Sequence, residues 1–198
     1  MTNSHTHQSP VIALTGGIGA GKSYVCTLLK QRGIKVYDCD AAAKRLLRTS
    51  LSLQEDLKRL VGATVYRNGI LQKPILAKFL LASETNKQAV NNTIHPAVAA
   101  DFLASDCQWL ESAIYFDSGF DKRVNADHVI CVSAPLEVRL KRIMQRDDIS
   151  RHEALAWIQR QLPQEEVVSR SDFEIVNDGQ QAIEPQIENI IHQLSALR

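Results

Sequence analysis

The sequence predicts an α/β protein with three layers, built on a mostly parallel sheet. Three observations predict it. Short apolar runs alternate with amphipathic helical stretches along most of the 198 residues. A glycine-rich turn joins the first run, Val11-Ile12-Ala13-Leu14, to the first helical stretch. The second run, Ile34 to Tyr37, ends in two acids, Asp38 and Asp40, and passes straight into another helical stretch. Strand, turn, helix, strand is the unit from which parallel sheets are made.

The elements follow in order. Val11 to Leu14 is a buried strand, and after the turn Val25, Leu28 and Leu29 recur at helical spacing until Gly33, a C-cap. Ile34 to Tyr37 is the second strand, and Ala41 to Leu47 is helical. Residues 50–106 read as helical and poor in strands. Ser52-x-x-Glu55 has the form of a capping box. Asn68-Gly69 marks a turn, Pro74 opens a helix with Ile75, Phe79 and Leu80 in phase, and a longer pattern runs from Glu84 to Ala104. Pro96, which lacks an amide hydrogen, is expected to kink or break it. Strands return at Ala113 to Phe116, running into Asp117, and at Val129 to Val132. From Pro135 a helix buries Leu136, Leu140, Ile143 and Met144, with Arg139, Arg142 and Arg146 on its other face. Ser150-x-x-Glu153 opens the next helix, which stops before Pro163. Phe173 to Val176 is the last strand. Ile183, Ile187, Ile190, Ile191, Leu194 and Leu197 stripe the last helix.

The turn Gly16-Gly17-Ile18-Gly19-Ala20-Gly21-Lys22-Ser23 has the spacing of a phosphate loop, Gly, four residues, Gly-Lys-Ser. Glycines let backbone amides approach a polyphosphate closely, and the following helix adds its free N–H groups. Lys22 can reach the terminal phosphates, and the Ser23 hydroxyl can ligate Mg²⁺. A dinucleotide-binding turn is excluded, because its third glycine would fall at Lys22. In a parallel sheet, strands one and two end at the same edge, so Asp38 and Asp40 are expected beside the phosphate site. Asp117 at the end of its strand is a candidate for metal coordination or for a simple cap. The basic pair of helices over 139–165 suggests a lid whose guanidinium groups cover a polyphosphate.

Other features exclude more than they assign. A net charge of +1 gives no sign of nucleic-acid or membrane attraction. Cys26, Cys39, Cys107 and Cys131 form no Cys-x-x-Cys pair, which argues against a zinc or redox motif and for a reduced, cytoplasmic setting. No segment is long and apolar enough to span a bilayer. The polar stretch Met1 to Pro10, with His5 and His7, lacks the apolar middle of a signal peptide. The oligomeric state is left open. A nucleotide switch would need a guanine-reading Asn-Lys-x-Asp, and Asn86-Lys87-Gln88-Ala89 lacks the Asp. A kinase for another small alcohol or nucleotide would use the same loop, acids and basic helices.

Taken together, the loop, Asp38-Cys39-Asp40, His95-Pro96, Arg142-Ile143-Met144-Gln145-Arg146-Asp147, Gln161-Leu162-Pro163 and Asn177-Asp178-Gly179 resemble the dephospho-CoA kinase family over essentially the whole length. The resemblance implies a P-loop kinase fold with a nucleotide-binding core, a helical substrate-binding insertion at 50–106 and a helical lid at 139–165. It implies transfer of the γ-phosphoryl of ATP, with Mg²⁺, to the ribose 3′-hydroxyl of dephospho-CoA. Asp40 matches the family's general base, and Lys22, Arg142 and Arg146 match its charge-stabilising groups. Gly17, Gly19, Ala20, Gly21, Lys22, Ser23 and Tyr24 match its ATP-binding positions. Asp38, His95 and Pro96 fall in its substrate-binding region. Three departures stand out. Tyr24 replaces a common Thr, Ala113 to Asp117 replaces a common Pro-Leu-Leu-Phe-Glu, and Arg170-Ser171-Asp172 replaces a basic-Ala-Asp pattern.

Overall fold

The computed structural model describes residues 10–196. His5, His7 and Leu197, named above, lie outside that range. The first strand, β1 (Ile12–Thr15), is four buried residues and runs into the glycine-rich turn. Helix α1 (Lys22–Gln31) follows it. Its end is closed as expected: Gly33, at φ +78°, lets its own amide reach the Lys30 carbonyl and that of Ile34 reach Leu29. Strand β2 (Val36–Asp38) leads into helix α2 (Cys39–Thr49), and helix α3 (Leu51–Val61) follows directly. The cap of α3 is Ser50 rather than Ser52; the Ser50 side chain accepts from Leu53 N–H, and Ser52 lies inside the helix.

The 50–106 region is helical, with one small exception. Strands β3 (Tyr66–Arg67) and β4 (Ile70–Leu71) form a two-stranded hairpin around the Asn68-Gly69 turn, both of whose residues have positive φ. Helix α4 (Lys73–Ala82) carries Pro74 in its first turn, where the sequence places a helix start. Helix α5 (Glu84–Leu103) runs through Pro96 without a break, one of the two outcomes expected there. Pro96 and Asn92, whose carbonyl loses its donor, are both exposed, while Val98, Ala99 and Phe102 beyond the proline are buried. Packing of those three residues carries the helix on, and the orphaned carbonyl belongs to a residue on the exposed side.

The strand expected at Ala113 to Phe116 is displaced. Strand β5 is Trp109–Glu111, and residues 113–119 form turns. Of the apolar run there only Tyr115 is buried, and Ile114 is exposed: Tyr115 inserts under the sheet, donates to the Val124 carbonyl and meets Phe116 and Phe120 edge-on. Asp117 is therefore exposed on a turn, accepting from Leu162 N–H, and is not a strand-end acid. That position belongs to Glu111.

Strand β6 (His128–Ser133) is followed by helices α6 (Leu136–Asp147), α7 (Arg151–Gln159) and the short α8 (Gln164–Ser169), which the sequence pattern did not reveal. Both halves of the Ser150–Glu153 capping box are made. Leu136, expected in the core face of α6, is exposed, whereas Leu140 and Ile143 are buried. Strand β7 (Phe173–Val176) and helix α9 (Ile183–Ala196) complete the described chain.

Five strands form one parallel sheet in the order β2-β5-β1-β6-β7. On one face α1 and α9 pack Leu28, Leu29, Ile187 and Leu194 against Leu14, Ile130 and Ile175. On the other, α2 and the second half of α5 bring Ala42, Val98 and Phe102 onto Ala13, Leu110 and Val129. The first half of α5 shares a separate cluster with α3 and α4, including Leu53, Leu57, Leu76 and Val90. Helix α5 thus ties the helical region to the sheet. A fourth small cluster joins Leu140, Ile143 and Ala154 of α6 and α7 to Ile18 of the glycine-rich loop. Cys26, Cys39 and Cys131 are buried, and no cysteine among the described residues is paired. Among the described residues no helix is long and apolar enough to cross a membrane.

Candidate active site

The chain leaves β1 toward β2 on one side and later crosses to β6 on the other. The carboxyl end of β1 is therefore the crevice where ligands of such sheets sit. The glycine-rich loop occupies it. Its backbone is held from outside by protein groups. Arg139 Nε donates to Ile18 O (2.9 Å), Arg142 Nη1 to Ala20 O (3.2 Å) and Asn177 Nδ2 to Ala20 O (2.8 Å). Gln161 Oε1 accepts from Ile18 N–H at 2.7 Å.

These clamps give the glycines a second reason beyond phosphate access. A Cβ on Gly17 would lie 2.3 Å from Arg139 Nη2, and one on Gly21 would lie 2.1 Å from Asn177 Nδ2. Gly21 also has φ +98°. Gly21→Ala is therefore expected to cost about 2–5 kcal/mol, the sum of left-handed strain and overpacking. A urea-unfolding curve checks this, and an unchanged midpoint would refute it.

Arg139 is expected to share the face of α6 opposite its core stripe with Arg142 and Arg146. It is instead buried under the loop, and burial pushes its pKa down from the usual arginine range. Its aligned carbonyl acceptor explains how the charge is tolerated there. Arg142 bridges the loop to Asn177 Oδ1 at 3.0 Å, and Arg146 pairs with Asp147 at 2.7 Å.

A pocket of about 420 Å³ opens over the loop. Gly19, Gly21, Lys22, Ser23, Arg142 and Arg146 line it, as the sequence led one to expect, and so do Glu111 and Gln161. Lys22 is the buried charge at its base. Its Nζ donates to Gly16 O at 2.8 Å and lies 3.7 Å from Glu111 Oε1. Burial pushes the Lys22 pKa down, and the Glu111 carboxylate works against that. Ala20 turns its methyl into the core. Gly17 is loop backbone packed on Arg139. Tyr24 points outward, with its hydroxyl 3.3 Å from Glu184 on α9.

The acids fall beside this pocket rather than in its lining. Asp38 caps α2 by accepting from Ala41 N–H at 2.8 Å. It is also the lateral partner of Glu111 in the sheet. Asp40, in the first turn of α2, has a side chain 74% exposed and pairs with Lys44. Both contribute negative charge at Glu111, whose pKa is raised first by burial. His95 sits edge-on to Phe120 with its ring centroid 5.6 Å away, and its Nδ1 is buried without a partner. Burial, then Arg123, pushes the His95 pKa below the usual range. Pro96 lies beside it on the exposed face of α5.

Glu111 is the residue the sequence reading missed. Its signal was the apolar pair Trp109-Leu110 ending in an acid, hidden by the longer apolar run that follows. Gln161 and Asn177 stood within quoted motifs, but nothing in residue type told that their amides clamp the loop.

A pocket of this shape, with a buried ammonium, a helix N-terminus and a hydroxyl at the first helical turn, fits a polyphosphate. The family model for dephospho-CoA kinase matches residues 10–182. The chain belongs to the dephospho-CoA kinase family. A dephospho-CoA kinase from Bacteroides fragilis is 39% identical over 187 residues, covering 91% of this chain and 90% of its own. One from Thermus thermophilus is 34% identical, covering 88% and 87%. A crystal structure from Thermus thermophilus superposes with a TM-score of 0.77 at 31% identity, over 96% of this chain and 100% of the other. The dephospho-CoA kinase structure from Campylobacter jejuni gives 0.63 at 25%, over 94% and 97%. A shikimate kinase from Acinetobacter baumannii, 13% identical with a TM-score of 0.58 and covering 96% and 94%, shares the fold alone. The dephospho-CoA kinase family catalyses the last, ATP-dependent step of coenzyme A biosynthesis, and this chain is a kinase of that family.

Proposed function

We propose that the chain transfers the γ-phosphoryl of ATP to the ribose 3′-hydroxyl of dephospho-CoA with Asp40 as general base. The observation that carries this reading is the carboxyl edge itself. The loop with its Lys22 ammonium leaves β1 there, and the turn bearing Asp40 leaves β2 there. Asp40 accepts a hydrogen bond from the 3′-hydroxyl, orients it in line and takes its proton as the oxygen bonds to the γ-phosphorus. The bond from that phosphorus to the β–γ bridging oxygen breaks, and ADP leaves. Lys22, Arg142 and Arg146 stabilise charge on the moving group. Arg142 and Arg146 sit on α6, the start of a basic lid over 139–165.

ATP phosphates lie against Gly17, Gly19, Ala20, Gly21, Lys22 and Ser23, with the backbone amide of Tyr24 inside the first turn of α1. The helical region 50–106 carries the rest of dephospho-CoA, with Asp38, His95 and Pro96 among the residues that meet it. The donors present also fit Mg²⁺. Ser23 offers a hard oxygen in the pocket, and among the described residues no group of three acidic, histidine or cysteine side chains forms a cage of its own. That is the pattern for an ion that keeps water and phosphate ligands. When bound, Mg²⁺ neutralises phosphate charge, and Ser23 would hold it. The unpaired cysteines support a reducing, cytoplasmic setting.

A coupled ADP-release assay tests the proposal. ADP is expected with dephospho-CoA present, and little with adenosine, AMP or small alcohols in its place. Equal release with every acceptor would overturn the substrate assignment.

A further inference from the structure

We infer that Lys87 and Arg160 form a second anion site, which takes the 5′-diphosphate of the acceptor and so selects dephospho-CoA over a plain nucleoside. The inference rests on the proposed transfer to dephospho-CoA and assigns residues to a part of that substrate. A second pocket, of about 280 Å³, adjoins the one over the loop. Gln161 lines both, and Ala113 lines the first where its neighbour Ile114 lines the second. The two are thus side by side over the turn that leaves β5 at the carboxyl edge. Lys87 and Asn91 reach the second pocket from α5, and Arg160 reaches it from the end of α7. It is a cleft between the helical region and the basic helices.

A 3′-hydroxyl that reaches the Lys22 pocket brings its ribose with it. The 5′-diphosphate on that ribose is only a few covalent bonds away, yet the loop is already taken by the phosphates of ATP. It must lie in an adjoining space, and its dense negative charge calls for cations there. Arg160 is exposed and, among the described residues, has no carboxylate within ion-pair distance. Lys87 pairs with Glu84 at 2.9 Å, within an exposed stretch of α5. Water screens such a pair and it is worth little, so Lys87 can exchange it for phosphate. Asp117 is the acid of the lining; it accepts from Leu162 N–H and keeps its charge. That charge offsets part of the two cations and leaves the balance of the lining positive. A nucleoside without the diphosphate engages neither cation.

Steady-state kinetics test this with Arg160→Gln, Lys87→Gln, the double variant and Arg160→Lys. Each neutral variant is expected to raise KM for dephospho-CoA by about tenfold, the loss of one charge-assisted contact. The double variant is expected to raise it further than either. KM for ATP is expected to stay within about twofold and kcat within about threefold, because a contact equally strong before and during transfer acts on KM alone. Arg160→Lys keeps the charge and is expected to recover most of the loss. Adenosine, which has the ribose and no diphosphate, serves as a competitor of dephospho-CoA. Its inhibition constant is expected to be the same for the wild type and the double variant. Both side chains are exposed, so melting temperatures are expected to hold. An unchanged KM for dephospho-CoA in the double variant would overturn the assignment. So would an adenosine inhibition constant, or a KM for ATP, that rises in step with it. A wild type whose ADP release does not respond to dephospho-CoA would instead sink the acceptor reading itself.

Discussion

Asp40→Asn is expected to lower kcat by about 10²–10⁴-fold, the contribution of a positioned base, with KM for ATP close to that of the wild type. The structure makes this variant clean. Asp40 lies at an exposed position in the first turn of α2, with no packing duty and one surface partner, Lys44. Such exposed pairs contribute little to stability. The acid also faces the positive end of a helix, worth about 0.3–1 kcal/mol, so the melting temperature falls only slightly. Steady-state kinetics with dephospho-CoA and ATP varied in turn read the separation of kcat from KM. Turnover within about twofold of wild type would refute the base assignment, since general-base contributions span at least two decades. The amide cannot accept the proton, yet it fills the same space, so an effect on kcat alone is chemical.

The second large effect is expected from Lys22→Ala, a fall in kcat/KM of about 10²–10³-fold, the usual loss when one group aimed at developing charge is removed. This variant carries a complication that the structure explains. Removing the ammonium leaves the Glu111 carboxylate, 18% exposed, without its partner. An unpartnered, poorly solvated charge is destabilising. The double variant Lys22→Ala/Glu111→Gln is therefore expected to recover most of the lost melting temperature and none of the lost activity. That split distinguishes a group acting on the transition state from one that merely holds the loop. Wild-type activity in the single variant would overturn the role of Lys22, and recovery of activity in the double variant would show that the loss was structural.

The two variants probe different elements at the carboxyl edge of the sheet. Lys22 is buried, held by the Gly16 carbonyl and Glu111 before any phosphate arrives. Asp40 stands in water on a different element. Preorganised positive charge belongs where solvent cannot screen it, and a base that must collect a proton from an incoming hydroxyl belongs where that hydroxyl can reach it.

Local signals settled much of this protein. The phosphate loop was legible because a polyphosphate demands glycines, a lysine and a hydroxyl at fixed spacing, and chain connectivity alone delivers them to one place. The strands at Ile12, Val36, Val129 and Phe173, the Schellman turn at Gly33, the Ser150 capping box and the apolar stripe of α9 are all encoded within a few residues of where they form. Parallel topology then placed Asp38 and Asp40 at the same edge as the loop.

What only the tertiary structure decided involves partners far apart in the chain. Residues 113–116 are as apolar as a strand, but Tyr115 fills a hole beneath the sheet, and Trp109–Glu111 takes the place between β1 and β2. That displacement puts Glu111, not Asp117, beside the lysine. Three arginines on one helix look alike in sequence, yet the loop buries Arg139 and leaves Arg146 at the pocket wall. Pro96 by its own chemistry kinks or breaks a helix, and burial of the residues after it carries this one on without a break. In each case backbone propensity is a matter of about a kcal/mol or a few, while burial of a large side chain in a closely packed core is worth about as much or more. Spacing fixes what a short stretch can do; the packing of distant stretches against it selects which of those options is taken.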